Sequence, residues 1–436
     1  MRDSKKNLRG RCRCYNDDTG CDPYAVRNDR KHMQVSERNT EMNQTNIDAA
    51  QARLDTFAGD MVTRKLREFG YPVNQKSKLT SFYKWFAGSG LNLAMVNNAG
   101  DPFDGTSHLL NSLEFEREVI EFLGPMYGFE KDNLWGIVTF SGTDGNNHGL
   151  YFGANYLEKL TKQKPVVYVS DSAHYSSRRL ADLQNLELAL IPSDVHGCMI
   201  PEEFEKALRP DRPALIVYAM GTTFKGGVDD RGAIDAILAK HPSIPVYRHI
   251  DAALFGGYLP YTKYKNVTDR RVQPYDSIAV SGHKFFGLDE PAGFFLTTKE
   301  VLDNQNPYEV SYLNGSMPMI NCSRSAVSPL KFWWIFQHTS KESFTEQAES
   351  MLECAAWLKD AFDRMGWPAY LEPMSNTVYF KRPPESIVSE YGLAPDFDER
   401  LGGALSHIVV MQHVTRERLQ KFLDDLAAAA EDASAG

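Results

Sequence analysis

The stretch SIAVSGHKFFG, residues Ser277–Gly287, runs from a short apolar segment into a serine, a glycine, a histidine and a lysine. The segment Ser277–Val280 has the length and composition of a buried strand, so Lys284 sits just past a strand end. Doubly wound α/β sheets hold their ligands at that edge. Most lysines are solvated surface groups, so the reading depends on what surrounds this one. Upstream, strands are expected at Pro165–Ser170, Glu187–Ile191, Ala214–Ala219 and Val246–Ile250. Downstream, one is expected at Gly293–Thr297. Helical stretches, Pro201–Leu208 and Arg231–Lys240 among them, lie between. This alternation predicts an α/β fold with a mainly parallel sheet covered on both faces.

Further from that centre the pattern changes. A long helix is expected over Lys341–Met365, then strands near Thr377–Phe380 and His407–Met411, then a helix from Arg416. This is the pattern of a small C-terminal α+β unit. Toward the start, Ile47, Leu54, Phe57, Met61 and Leu66 recur at helical spacing and predict an amphipathic helix over about 46–70. Residues 1–45 are polar and aperiodic, which predicts a disordered or weakly ordered leader. The expected organisation is therefore 1–45 leader, 46–96 N-terminal helical segment, 97–306 large sheet domain, and 307–436 loop, long helix and small domain.

The bulk properties exclude some partners. A net charge of −9 does not suit a nucleic-acid binder, whose affinity rests on neutralising phosphates. No apolar run reaches the roughly 18 residues of a membrane span. No apolar segment follows the basic residues at the start, so no secretory signal is expected and the protein is expected to be cytoplasmic. The Asn-x-Ser/Thr triplets at Asn43, Asn266 and Asn321 then carry no weight. Cys12, Cys14 and Cys21 lack paired C-x-x-C spacing and a nearby histidine, so a reduced tail is expected there and no metal site.

Four other segments, each past an expected strand or opening an expected helix, carry chemistry alongside Lys284. SGTDGN at Ser141–Asn146 supplies small residues at a helix start, where backbone N–H groups and the helix dipole favour an anion. It lacks the Walker and dinucleotide glycine patterns, so it suits a simple phosphate. DSAHYS at Asp171–Ser176 offers His174 as a ring to stack on an aromatic group, or as an ordinary turn histidine. Gly221-Thr222-Thr223 offers hydroxyls. HIDAA at His249–Ala253 places Asp251 where a carboxylate can hold a proton on a pyridine nitrogen, or cap a turn. Taken together they provide a phosphate cradle, a ring stack, a pyridinium partner and an amine.

In that order, SGTDGN, SAHYS, MGTTFKGGVDD, HIDAALFGG and SGHKFFG resemble the group II pyridoxal-5′-phosphate-dependent decarboxylases. NNAGDPF at Asn97–Phe103 and LSHIVVMQHVTRERLQKFLDDL at Leu405–Leu426 are similar to the branch holding bacterial histidine decarboxylase and plant serine decarboxylase. The resemblance covers about residues 90–430. It implies fold type I, the aspartate-aminotransferase-like fold, with a seven-stranded sheet in the large domain. It implies a homodimer with shared active sites, and an amino acid as substrate. It also implies Lys284 as the covalent anchor of pyridoxal 5′-phosphate, Asp251 on the ring nitrogen, and His174 and Ala253 on the two ring faces. Gly142, Thr143, Ser281 and His283 would hold the phosphate, and Thr222 or Thr223 the ring hydroxyl.

Two segments depart from the branch. SGHKFFGLDEPAG stands where it carries SGHKFxGSPxPCG, and CSRSAVSPL where it carries GSRNGHxPL. These departures leave the substrate open between a histidine-like and another small or polar amino acid. The expected reaction is α-decarboxylation to the amine and CO2, with Lys284 or Tyr312 returning a proton to Cα. Tyr312 suits a packing role equally. Transamination, decarboxylation-coupled oxidative deamination and a non-catalytic paralogue are the alternatives.

Overall fold

The computed structural model describes residues 30–435. Cys12, Cys14 and Cys21, and the leader up to residue 29, lie outside the described residues. The first helix, α1, spans Arg30–Arg64, so it begins within the stretch expected as leader and ends short of residue 70. Along it Ile47, Leu54, Phe57 and Met61 are exposed.

The seven-stranded sheet is built from β1 (Leu134–Thr139), β2 (Val166–Ser170), β3 (Glu187–Ile191), β4 (Ala214–Ala219), β5 (Val246–Asp251), β6 (Ser277–Ser281) and β7 (Gly293–Thr298). Their order is β1-β7-β6-β5-β4-β2-β3. Only β7 runs against its neighbours β1 and β6; the remaining pairs are parallel. Side chains alternate between the faces. On β4, Ala214, Ile216 and Tyr218 join one core cluster, and Leu215 and Val217 the other. A sheet buried on both faces needs apolar runs rather than alternation, which is why VVYVS and ALIVYA are legible as strands.

The strand β1 is not legible in the sequence. Its segment LWGIVT has Gly136 at the centre, which weakens a strand signal. The glycine is required by packing, because a Cβ there would lie 2.5 Å from the Phe295 carbonyl of β7.

The helix after β1, α2 (Gly142–Thr161), crosses the sheet on glycines. Added Cβ atoms at Gly145, Gly149 and Gly153 would meet Ala279, the His249 ring and Tyr247 respectively. That spacing puts one bare face of the helix against β5 and β6. The small domain follows α3 (Lys341–Met365). Its sheet holds β8 (Ala369–Leu371), β9 (Thr377–Lys381), β10 (Ala394–Asp398) and β11 (Gly403–Val409) in the antiparallel order β8-β9-β11-β10. The last helix is α4 (Arg416–Ala435). No helix among the described residues is long and apolar enough to cross a membrane.

Candidate active site

The strands β1, β2, β4, β5 and β6 end on one edge of the sheet, and the loops leaving them meet over a cavity of about 230 Å³. Gly142, Thr143, His174, Thr222, Thr223, Asp251, Ala253, Ser281, His283 and Lys284 all line it.

The anion side is the start of α2. Ser141 caps the helix in extended conformation, its Oγ accepting the Asp144 N–H at 3.2 Å. The N–H groups of Gly142 and Thr143 belong to the first turn, where no intrahelical carbonyl accepts them. Asp144 is turned away from the cavity. It accepts the Phe140 N–H at 3.0 Å and the Asn321 side chain at 2.8 Å, and His148 beside it helps to hold its carboxyl below the usual range against the opposing effect of burial.

Behind the helix, His249 joins both sides of the site. Its Nε2 lies 2.9 Å from Asn146 Oδ1 and its Nδ1 2.8 Å from Ser277 Oγ. Complete burial pushes its pKa down to about 3, so it is a neutral connector. An amide oxygen can only accept, so Nε2 donates to Asn146 and Nδ1 accepts from Ser277.

Opposite lies Asp251, buried at the end of β5, with Oδ1 accepting the Ala253 N–H at a long 3.3 Å. So weak a cap leaves most of the carboxylate's capacity for another partner. His174 feels both Asp251 and Lys284, but burial dominates and lowers its pKa. Its Nδ1 lies 2.7 Å from Ser176 Oγ and 3.3 Å from the Ser176 backbone N–H, which hold the ring in place. Burial also lowers the pKa of Lys284, against the pull of Asp251. A lysine that gives up its proton more readily is a better nucleophile. Thr222 Oγ accepts the Gly227 N–H at 2.9 Å, leaving its own hydroxyl hydrogen to donate.

Tyr312 lies elsewhere. It is 80% exposed and borders a separate hollow with His108, Cys322 and Ser323. Asn146, Pro72, Pro291, Thr377 and Val409, to which the sequence assigns no site role of their own, also line the cavity. Asn146 ends the quoted SGTDGN motif. Pro72, Thr377 and Val409 arrive by a long-range tie, in which the Phe69 carbonyl accepts the Val409 N–H at 2.8 Å and the Gly70 carbonyl faces His407 Nε2 at 2.9 Å.

The profile of the pyridoxal-dependent decarboxylase conserved domain matches residues 153–367. Serine decarboxylase 1 of Oryza sativa subsp. japonica is 31% identical over 86% of this chain and 74% of its own length. The chain is a pyridoxal-dependent decarboxylase. Within that family it groups with the serine and histidine decarboxylases. The histidine decarboxylase of Morganella morganii is 29% identical over 87% of this chain and 96% of its own. The L-methionine decarboxylase of Streptomyces sp. 590 shares the fold, with a TM-score of 0.76 at 20% identity over 87% of this chain and 95% of the other. This decarboxylase therefore has fold type I, depends on pyridoxal phosphate and is a carboxy-lyase acting on an amino acid. The cavity suits that cofactor, since helix-start donors and hydroxyls for a phosphate, a buried carboxylate and a desolvated amine all line it.

Proposed function

We propose that the enzyme removes the α-carboxylate of a histidine-like or other small polar amino acid as CO2 and returns the amine. The observation that carries this reading is the convergence of Lys284, Asp251, His174 and the α2 start on one cavity. A hollow of about 830 Å³ adjoins it, sharing Pro72, Thr222 and Thr223. Its walls include Asp171, Ser172, Arg178, Asp396 and Arg400, which favour a polar side chain.

In this reading Gly142, Thr143, Ser281 and His283 hold the phosphate. His174 and Ala253 orient the ring from its two faces, and Thr222 or Thr223 donates to its hydroxyl. Asp251 keeps a proton on the ring nitrogen. Bound pyridoxal phosphate supplies the electron sink for the bond broken at Cα. Lys284 is the covalent anchor, and Lys284 or Tyr312 returns the proton to Cα, a contribution typically of about 10²–10⁴-fold. The enzyme works as a cytoplasmic homodimer with Tyr312 reaching the partner's site. The large domain at 97–306 carries the cofactor, and residues 1–45 are dispensable for binding it.

The test is a panel of amino acids offered to purified enzyme with pyridoxal phosphate, measuring CO2 and identifying the organic product. An amine equimolar with CO2 is expected from at least one of them. A keto acid or an aldehyde would point to transamination or oxidative deamination. Lys284→Ala should abolish turnover while leaving the fold intact, and near-normal turnover would remove Lys284 from its role.

A further inference from the structure

The carbonyl of Phe285, directly after Lys284, accepts two side-chain amides: Asn74 Nδ2 at 3.0 Å and Gln412 Nε2 at 2.8 Å. Neither donor belongs to the sheet that carries the lysine. Asn74 lies before the helix Thr80–Gly88, and Gln412 lies between β11 and α4. One backbone and one side-chain tie join the two donor segments: the Phe69 carbonyl accepts the Val409 N–H at 2.8 Å and the Glu68 carbonyl faces His413 Nε2 at 3.1 Å. The two donors therefore come from segments held side by side.

The target is a short loop whose ends meet, with the Leu288 N–H donating to the Gly282 carbonyl at 3.2 Å. Lys284 is in the middle of it. The Phe285 ring is buried among Tyr258, Tyr261, Phe286 and Phe344. Ring and carbonyl together fix residue 285, and so the path of the chain next to the lysine. Gly287 is in the left-handed region at φ 77°, and a Cβ there would lie 2.8 Å from Asn74 Nδ2, so the loop leaves room for that amide. Gln412 Oε1 is buried without a partner among the described residues. Turning the amide over would set that oxygen against the Phe285 carbonyl, acceptor to acceptor.

We propose that Asn74 and Gln412 are positioning residues that aim Lys284 at the cofactor, an inference resting on the reading of Lys284 as its covalent anchor. Attachment joins Nζ to the aldehyde carbon of pyridoxal phosphate with loss of water. A four-carbon side chain is flexible, so its aim depends on the backbone below it. A misplacement of about 1 Å costs roughly 100-fold in such a reaction.

The test compares the full-length enzyme with Asn74→Leu, Gln412→Met and the double variant, substitutions of similar size that cannot donate. Apoprotein is mixed with pyridoxal phosphate, quenched with borohydride at intervals, and the reduced adduct on the Lys284 peptide is counted by mass spectrometry. Each single variant should slow attachment about tenfold or less, and the double variant roughly 100-fold. Affinity for pyridoxamine 5′-phosphate, which has no aldehyde for the lysine, should stay at its wild-type value, while the thermal midpoint falls modestly because the Phe285 carbonyl loses its donors. Wild-type attachment rates in the double variant would overturn the proposal. So would a parallel loss of pyridoxamine phosphate affinity, which indicates a general structural role. If the double variant does not fold, Gln412→Met decides by the same comparison. A wild-type enzyme whose adduct sits on another lysine would instead refute the anchor reading itself.

Discussion

At the residue scale, Lys331, just past the second segment that departs from the family pattern, reaches back to the first. Asp289 and Glu290 of LDEP meet Lys331, which follows SPL, at 2.9 and 3.1 Å, and Ser328 donates to Glu290 at 3.2 Å. An acidic pair is thus set against a buried lysine from a distant segment. The sequence exposes each segment but not their meeting. Their neighbours matter to the site, because Pro291 lines the cavity and Ala292 lies against His283 Nδ1. Asp251 yields the sharpest residue prediction. Its 3.3 Å bond to the Ala253 N–H is too long to be its main purpose. Asp251→Asn keeps size and hydrogen bonding but removes the charge, and an opposite charge shifts a neighbouring pKa by about 1–3 units. Turnover should fall roughly ten- to a thousandfold, with pyridoxal phosphate occupancy nearly unchanged. Steady-state rates measured alongside occupancy check this, and a loaded, fully active variant would leave Asp251 a turn cap.

At the scale of elements, long-range pairs hold the site's supports in register. The short pairing of Asn97–Asn98 with Arg324–Ser325 brings NNAGDPF onto the segment that retains Ser323 and Arg324. Arg324 is buried against both Glu116 oxygens at 2.9 and 3.0 Å, and Asn98 donates to the same carboxylate at 2.8 Å. Arg324→Met would leave Glu116 buried without a counter-charge, at a cost of about 3–5 kcal/mol. Its denaturant midpoint should drop accordingly, and an unchanged midpoint would show that Glu116 finds another partner. His249 links α2 to the sheet, and its titration has a definite sign. Its pKa, about 6.5 when unfolded, is held down to about 3 in the fold. Its contribution is therefore complete above pH 6.5 and is lost as the pH falls toward 3. The stability difference between wild type and His249→Gln should shrink by up to about 1.4 kcal/mol per pH unit across that range. Chemical unfolding at a series of pH values measures it, and a flat difference would mean that His249 does not titrate.

At the scale of the molecule, what the sequence discloses depends on how local each cue is. VVYVS, ALIVYA and SIAVS are buried on both faces, so their composition alone marks them as strands, and the motifs past their ends mark the cofactor side. The edge strand β10 is not legible locally because APDFD is polar, contains a proline and is mostly exposed; its pairing with β11 makes it a strand. Pro72, Asn74, Thr377 and Gln412 reach the site or its lysine loop through pairings between distant segments, which no local spacing announces. The same reasoning applies to the proposed dimer. Tyr312 is 80% exposed and outside its own chain's cavity, while Ile47, Leu54, Phe57 and Met61 present an apolar stripe on α1. Exposed apolar stripes of this kind mark interaction surfaces. If Tyr312 serves the partner's site, two inactive variants should rescue each other. In a mixed dimer of Lys284→Ala and Tyr312→Phe, one site combines the intact lysine of one protomer with the intact tyrosine of the other, and the second site lacks both. Random mixing of subunits then restores about a quarter of wild-type activity. The measurement is turnover after co-expression or subunit exchange, with the mixed dimer confirmed by differential tags. If Tyr312→Phe alone abolishes turnover and the mixture stays inactive, Tyr312 acts within its own subunit. If Tyr312→Phe alone remains fully active, Tyr312 is a packing aromatic and the proton returned to Cα comes from Lys284.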